Sequence, residues 1–165
     1  MAVALLDAIY TEPTMHKPMP RGIVTALVVV LSLSWAGVPL SAQTQADSTA
    51  IHEVVIDYVD GWWTGDADRM ERALHPDLVK RNVFAHRQTG RSMMNSSTKY
   101  EMVEYTKAGG GSENPEMKGD VEVQILAIAG EIANVYAASD RYVDYLHLVR
   151  WNGSWVIVNV LWGGR

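Results

Sequence analysis

The sequence predicts an α+β domain in which three helices lie on one face of an antiparallel sheet. Three observations carry that prediction. Apolar residues recur at helical spacing between Ile51 and Tyr105, whereas the last third of the chain, from Val121, is built of β-branched and aromatic runs. The links between those runs, at Gly130, Asp140 and Asn152-Gly153, are too short for anything but antiparallel neighbours. Helices with a single apolar stripe must bury it, and the sheet supplies the face.

The chain opens on an export pattern. Lys17 and Arg21 form a positive stretch, Ile23 to Trp35 is almost wholly apolar, and Gly37, Pro39, Ser41 and Ala42 are the small and helix-breaking residues that precede a cleavage site. Residues 1–42 are therefore expected to be a secretory signal cut after Ala42. A cut after Ala46 is the alternative, because Leu40 is not the small residue usual three positions before the new end. Met15 or Met19 would serve equally as the start. The apolar run is shorter than the roughly eighteen residues a membrane span needs, so no membrane attachment is expected after cleavage and the mature protein is placed in the periplasm or the medium. Residues 43–50 read as a polar linker and 51–165 as the folded domain.

In the first helix Ile51, Val54, Val55, Tyr58, Val59 and Trp62 share one side, with His52, Glu53, Asp57 and Asp60 opposite. Asp47, Ser48 or Thr49 can cap its start and Gly65 its end. Asp66 caps a second, short helix through Leu74, which His75-Pro76 stops. Leu78 to Phe84 and Arg91 to Asn95 read as short strands. Thr98 and Glu101 form a capping box for a third helix carrying Met102, Val103 and Tyr105, ended by Gly109-Gly110-Gly111. Val121 to Ile128, Ile132 to Ser139, Arg141 to Arg150 and Ser154 to Trp162 are the strands of the closing meander.

Composition narrows the function. The formal charge of −5, without any Lys/Arg cluster, leaves no electrostatic footprint for nucleic acid. Cysteine is absent, which removes disulfides, thiolate metal sites and cysteine nucleophiles together. His52, His75, His86 and His147 have no metal-site spacing, and the triple glycine ends a helix rather than opening one, so neither a metal nor a phosphate-bearing cofactor is expected.

The run Gly61-Trp62-Trp63-Thr64-Gly65-Asp66-Ala67-Asp68-Arg69-Met70, followed by Ala73-Leu74-His75-Pro76-Asp77-Leu78-Val79-Lys80-Arg81, resembles the putative lumazine-binding family of the nuclear transport factor 2-like (SnoaL-like) superfamily. Val143-Asp144-Tyr145-Leu146-His147-Leu148 and Trp155-Val156-Ile157-Val158-Asn159-Val160-Leu161-Trp162 extend the resemblance to nearly the whole domain. It implies a cone-shaped, strongly curved sheet wrapped around three helices, with a cavity between them and pairing into homodimers through the sheet. The superfamily hosts isomerases, dehydratases and cyclases as well as binding modules, so the fold does not choose a function.

Strand parity nominates the cavity residues. One row of the last strand is Trp155, Ile157, Asn159 and Leu161; the other includes Val156, Val158, Val160 and Trp162. The Asn152-Gly153 turn permits two registers, with Leu148 opposite Ile157 for a two-residue turn or His147 opposite Ile157 for a turn with a Gly bulge. The family's Gly-x-Trp-x-Ile ending favours the bulged form, which turns Tyr145, His147 and Asn159 toward the cavity, joined by Tyr58 and Trp62 from the first helix and Met102 and Tyr105 from the third. The row Val156, Val158, Val160 and Trp162 would then face outward and pair two copies. The expected function is non-catalytic binding of a small apolar or aromatic molecule. An isomerase, dehydratase or cyclase with Asp144 or His147 as base and Tyr58, Tyr105 or Tyr142 as donor is the alternative. A structural dimer whose cavity is filled by its own side chains is the third reading.

Overall fold

The computed structural model describes residues 40–165. Apart from its last residues, the expected signal lies outside them. Helix α1 spans Leu40–Thr64, α2 Ala67–Ala73 and α3 Lys99–Lys107, with a single 3-10 turn at Pro115–Met117. The strands are β1 Leu74–Ala85, β2 Ser92–Ser97, β3 Glu122–Ala129, β4 Ile132–Ala138, β5 Tyr142–Trp151 and β6 Ser154–Gly164.

Residues 43–50, read as a linker, are instead helical, because a long-range anchor holds them. Asp47 is buried, pairs with the Arg150 guanidinium and accepts a hydrogen bond from Trp155 Nε1 at 3.3 Å. Ser48 and Thr49 do not cap the helix. Their hydroxyls donate to the carbonyls of Thr44 at 2.9 Å and Gln45 at 3.1 Å, as such side chains do inside a helix. The two shorter helices start as their sequences dictate: Asp66 accepts from Arg69 N, and Thr98 and Glu101 form a reciprocal capping box.

The strands form one six-stranded sheet in the order β2-β1-β6-β5-β4-β3. It is curved and open, and it is mixed rather than wholly antiparallel, since β6 lies parallel to β1. Short turns join the meander, but β1 and β6 are separated by most of the domain, which leaves ample chain for a parallel return. Register breaks bend the sheet between Leu74 and Val79 on β1, where Pro76 interrupts the ladder, between Ile125 and Ala127 on β3, and at Val158 on β6.

The Val158 break overturns the expected register. Asn152 and Gly153 both take positive φ, 50° and 86°, so the turn is a tight two-residue one and Leu148 faces Ile157. The extra residue enters one step later, at Val158, and His147 then faces Asn159. Inward parity therefore changes along β6, from Trp155 and Ile157 to Val160 and Trp162. The expected outward row fails for this reason: Val160 is fully buried.

The core lies between α1, α2 and the inner face of the sheet. Ile51, Val55, Met70, Leu74, Leu78, Leu146, Leu148, Ile157 and Val160 are almost wholly excluded from solvent. Each such side chain contributes about 1.5–3 kcal/mol of transfer free energy, enough in sum to hold a cysteine-free domain.

Candidate functional site

Beside that core a cavity of about 230 Å³ opens between α1, α3 and the inner face of the sheet. Its walls are aromatic: Trp62 and Trp63 from α1, Tyr105 from α3, Tyr142 from β5 and Trp162 from β6, with Met102 filling between. The rings support one another. Trp63 stacks on Tyr142 with centroids 6.1 Å apart, and Tyr142 meets Trp162 edge-on at 5.4 Å. The glycine loop after α3 closes over the tryptophan pair, with Gly111 N donating to Trp62 O at 2.9 Å. A Cβ at Gly111 would fall 2.4 Å from Trp63 Cε3, so only glycine allows this approach.

Asn95, Ser97 and Ser139 add polar groups to the wall, and one cluster in it is charged. Tyr58 Oη donates to Asp144 Oδ1 at 3.0 Å. Lys80 Nζ donates to Tyr58 Oη and lies 3.4 Å from the same Asp144 oxygen. The ammonium also sits 5.0 Å from the ring centroids of both Tyr58 and Trp162. Burial pushes Lys80 below the usual lysine range, with the Asp144 charge acting against that shift. Burial also pushes the Tyr58 hydroxyl well above its ordinary range, reinforced by the charge of Asp144 and by its hydrogen bond. Tyr58 therefore remains a neutral donor beside the Lys80–Asp144 ion pair. Strand parity explains the placement: Asp144 shares its row with Leu146 and Leu148, and Lys80 shares its row with Leu78, so both follow their apolar partners inward.

Of the residues singled out in the sequence, Tyr58, Trp62, Met102 and Tyr105 line this cavity. Tyr145, His147 and Asn159 do not. They occupy the outer face, because the row that turns inward on β5 is Tyr142, Asp144, Leu146 and Leu148. There Asn159 Oδ1 accepts from Arg81 Nη1 at 2.8 Å, its amide nitrogen lies 3.3 Å from His147 Nδ1, and Tyr145 meets Tyr136 edge-on at 5.5 Å. His147 is thus removed as a base for cavity chemistry, and Asp144 is left. Lys80, Trp63 and Trp162 are cavity residues that the sequence reading does not nominate. Trp162 is hidden by the unpunctuated Val158 bulge, while the alternation Leu78, Lys80 was a usable signal. Among the described residues, no three His, Asp or Glu side chains are grouped as metal ligands would be.

An open curved sheet folded over three helices, with a cavity between the layers, is the architecture of nuclear transport factor 2-like proteins. The chain is similar to such a protein of unknown function from Silicibacter pomeroyi, at 21% identity and a TM-score of 0.57 over 74% of this chain and 98% of that one. It is similar to others of unknown function from Shewanella baltica, at 16% identity and a TM-score of 0.54 over 73% and 94% of the two chains, and from Methylobacillus flagellatus, at 21% and 0.52 over 73% and 93%. At these identities the likeness establishes the fold. The family is established by sequence: the family described as "Putative lumazine-binding" matches residues 46–163, and the chain belongs to it. No curated protein matches the chain.

Proposed function

We propose that the protein is an exported binder of a small planar aromatic molecule held in this cavity. The observation that carries the reading is an aromatic enclosure with a few polar groups, among them one charged pair, the usual composition of a small-molecule site. A cavity of about 150 Å³ accommodates benzene and drug-sized ligands need about 300 Å³ or more, so 230 Å³ suits a one- or two-ring molecule. Lumazine, the bicyclic compound in the family's description, is of that size. Titrating the protein with lumazine and with two-ring hydrocarbons, read by tryptophan fluorescence, tests the proposal. Saturable quenching that is lost in Trp62→Ala supports it, and a flat response to every probe refutes it.

A second reading, proton transfer, draws on the direct hydrogen bond between Tyr58 and the Asp144 carboxylate within the cavity. If Asp144 is a base, Asp144→Asn lowers turnover of a bound ligand by about 10²–10⁴-fold while leaving it bound. An unchanged ligand after prolonged incubation with wild-type protein counts against that chemistry.

Two further parts of the proposal concern context. Export rests on the Lys17 to Ala42 pattern. Leader residues on the amino terminus of the exported form would refute it. Homodimerisation through the outer sheet face rests on the cross-strand row Tyr136, Tyr145 and Leu161, of which Tyr145 and Leu161 are about half exposed. Tyr145→Lys should then give monomer, and a wild type that already sediments as a monomer at micromolar concentration would end the idea.

A further inference from the structure

Building on the cavity reading above, we infer that the bound molecule presents an N–H group beside a C=O group on one edge, as a lactam or cyclic imide does, and that Asp144 and Lys80 read that edge. Tyr58 and Lys80 both address Oδ1 of Asp144, while Oδ2 accepts from no described residue and is not sealed from solvent, so that from its place in the cavity wall it stands open to a ligand. A carboxylate has about four acceptor sites and an ammonium three donors. Tyr58 Oη and Asp144 Oδ1 account for two of the Lys80 donors. The third donor and the free Oδ2 belong to groups 3.4 Å apart, close enough for neighbouring atoms of one ring edge to meet both. Tyr58 is already both donor and acceptor within the cluster, so it fixes the pair rather than competing for the ligand.

Charge selects among molecules of this size. Asp144 and Lys80 cancel one another, and the rest of the wall, the polar Asn95, Ser97 and Ser139 included, carries no charge. An anionic ligand reaching Lys80 would set a second negative charge beside Asp144, and a cationic ligand reaching Asp144 would set one beside Lys80. A neutral ligand that donates to the first and accepts from the second avoids both penalties and stacks its plane on the rings.

Three probes of similar size test this inference by fluorescence titration: quinazoline-2,4-dione, its 1,3-dimethyl derivative, which keeps the carbonyls and loses the N–H groups, and quinoline-2-carboxylate. The dione should bind wild-type protein at least tenfold more tightly than either of the others. In the charge-free variant Lys80→Met/Asp144→Leu the dione and its dimethyl derivative should bind equally. Equal binding of those two by the wild type overturns the edge reading and leaves the cavity reading standing. A preference that persists in the charge-free variant also overturns it, since size alone would then be responsible. Failure of all three to bind overturns the inference together with the cavity proposal on which it rests.

Discussion

Replacing either member of the Lys80–Asp144 pair should damage the fold more than replacing both together with Tyr58. The two side chains are 15% and 11% exposed and 3.4 Å apart. At that distance the gross attraction is about 5 kcal/mol for an effective dielectric of about 20, and it largely offsets the cost of removing both charges from water. Breaking a buried pair from one side costs about 3–5 kcal/mol. The residual exposure argues for the lower figure, about 3 kcal/mol, for Asp144→Leu. With a urea m-value of about 2 kcal/mol/M, its unfolding midpoint drops by about 1.5 M. The double variant Lys80→Met/Asp144→Leu removes both charges but strands the Tyr58 hydroxyl, at a cost of about 1–3 kcal/mol, and adding Tyr58→Phe should bring stability back to within about 1 kcal/mol of wild type. The single variant also acquires a pH signature. With its partner gone, Lys80 sheds its proton more readily in the folded state than in the unfolded chain, whose lysines hold theirs to about 10.5, so the deficit of Asp144→Leu shrinks as pH rises from 7 toward 10. Urea titrations followed by tryptophan fluorescence supply every value. If the single losses simply add in the double variant, the two charges are not coupled and the account of the cavity's polar cluster is wrong.

The remaining predictions use other parts of the molecule. Hydrogen bonds from Arg150 to Asp47 and from Thr98 to Glu101 hold those carboxyls below their ordinary values of 3.8 and 4.5, so the stability they supply is complete above pH of about 5 and lost as pH falls through the depressed folded values. Urea midpoints should therefore be flat from pH 5 to 7 and fall below about 4, and a midpoint that rises on acidification refutes this. Gly111→Ala should cost about 1–3 kcal/mol and shift the Trp63 emission, because the new methyl overlaps the indole, and wild-type stability would show that the loop does not brace the ring. His147→Leu and Asn159→Leu should leave ligand affinity unchanged, since both lie on the outer face; a loss above about threefold in either would place that face in the binding site.

How much of this was legible in the sequence depended on whether the cause was local. The capping box at Thr98 and the Asn152-Gly153 turn are written in adjacent residues and appear where expected, whereas the second helix ends at Ala73, and Leu74, His75 and Pro76 already belong to β1. Tyr58 and Met102 were readable as inward because helical periodicity sorts them with Ile51, Val55 and Val103. The bulge at Val158 has no Gly or Pro to mark it, and a single inserted residue exchanges the faces of everything beyond it. Asn159 and Trp162 were misplaced for that reason. Tyr145 and His147 were misplaced because a family ending was preferred to the row itself, in which Leu146 and Leu148 identify the buried side and carry Asp144 with them. The start of α1 was hidden in another way, since the partners of Asp47 lie about a hundred residues downstream on β5 and β6.

The position of β6 has a consequence for the order in which the fold can be assembled. It is the last strand of the domain, yet it lies between β1 and β5 and is the link between the β1–β2 hairpin and the β3–β5 meander. Until Trp155, Ile157 and Val160 arrive, neither half of the sheet has a neighbour and α1 has no complete surface to cover. Such non-local pairing carries a high loop-closure cost and makes folding slow. Synthesis from the amino end therefore yields two open-edged fragments and no native core until the final strand is present. That delay leaves the polypeptide without a native core throughout its synthesis, and it makes removal of the last ten residues equivalent to removal of the domain.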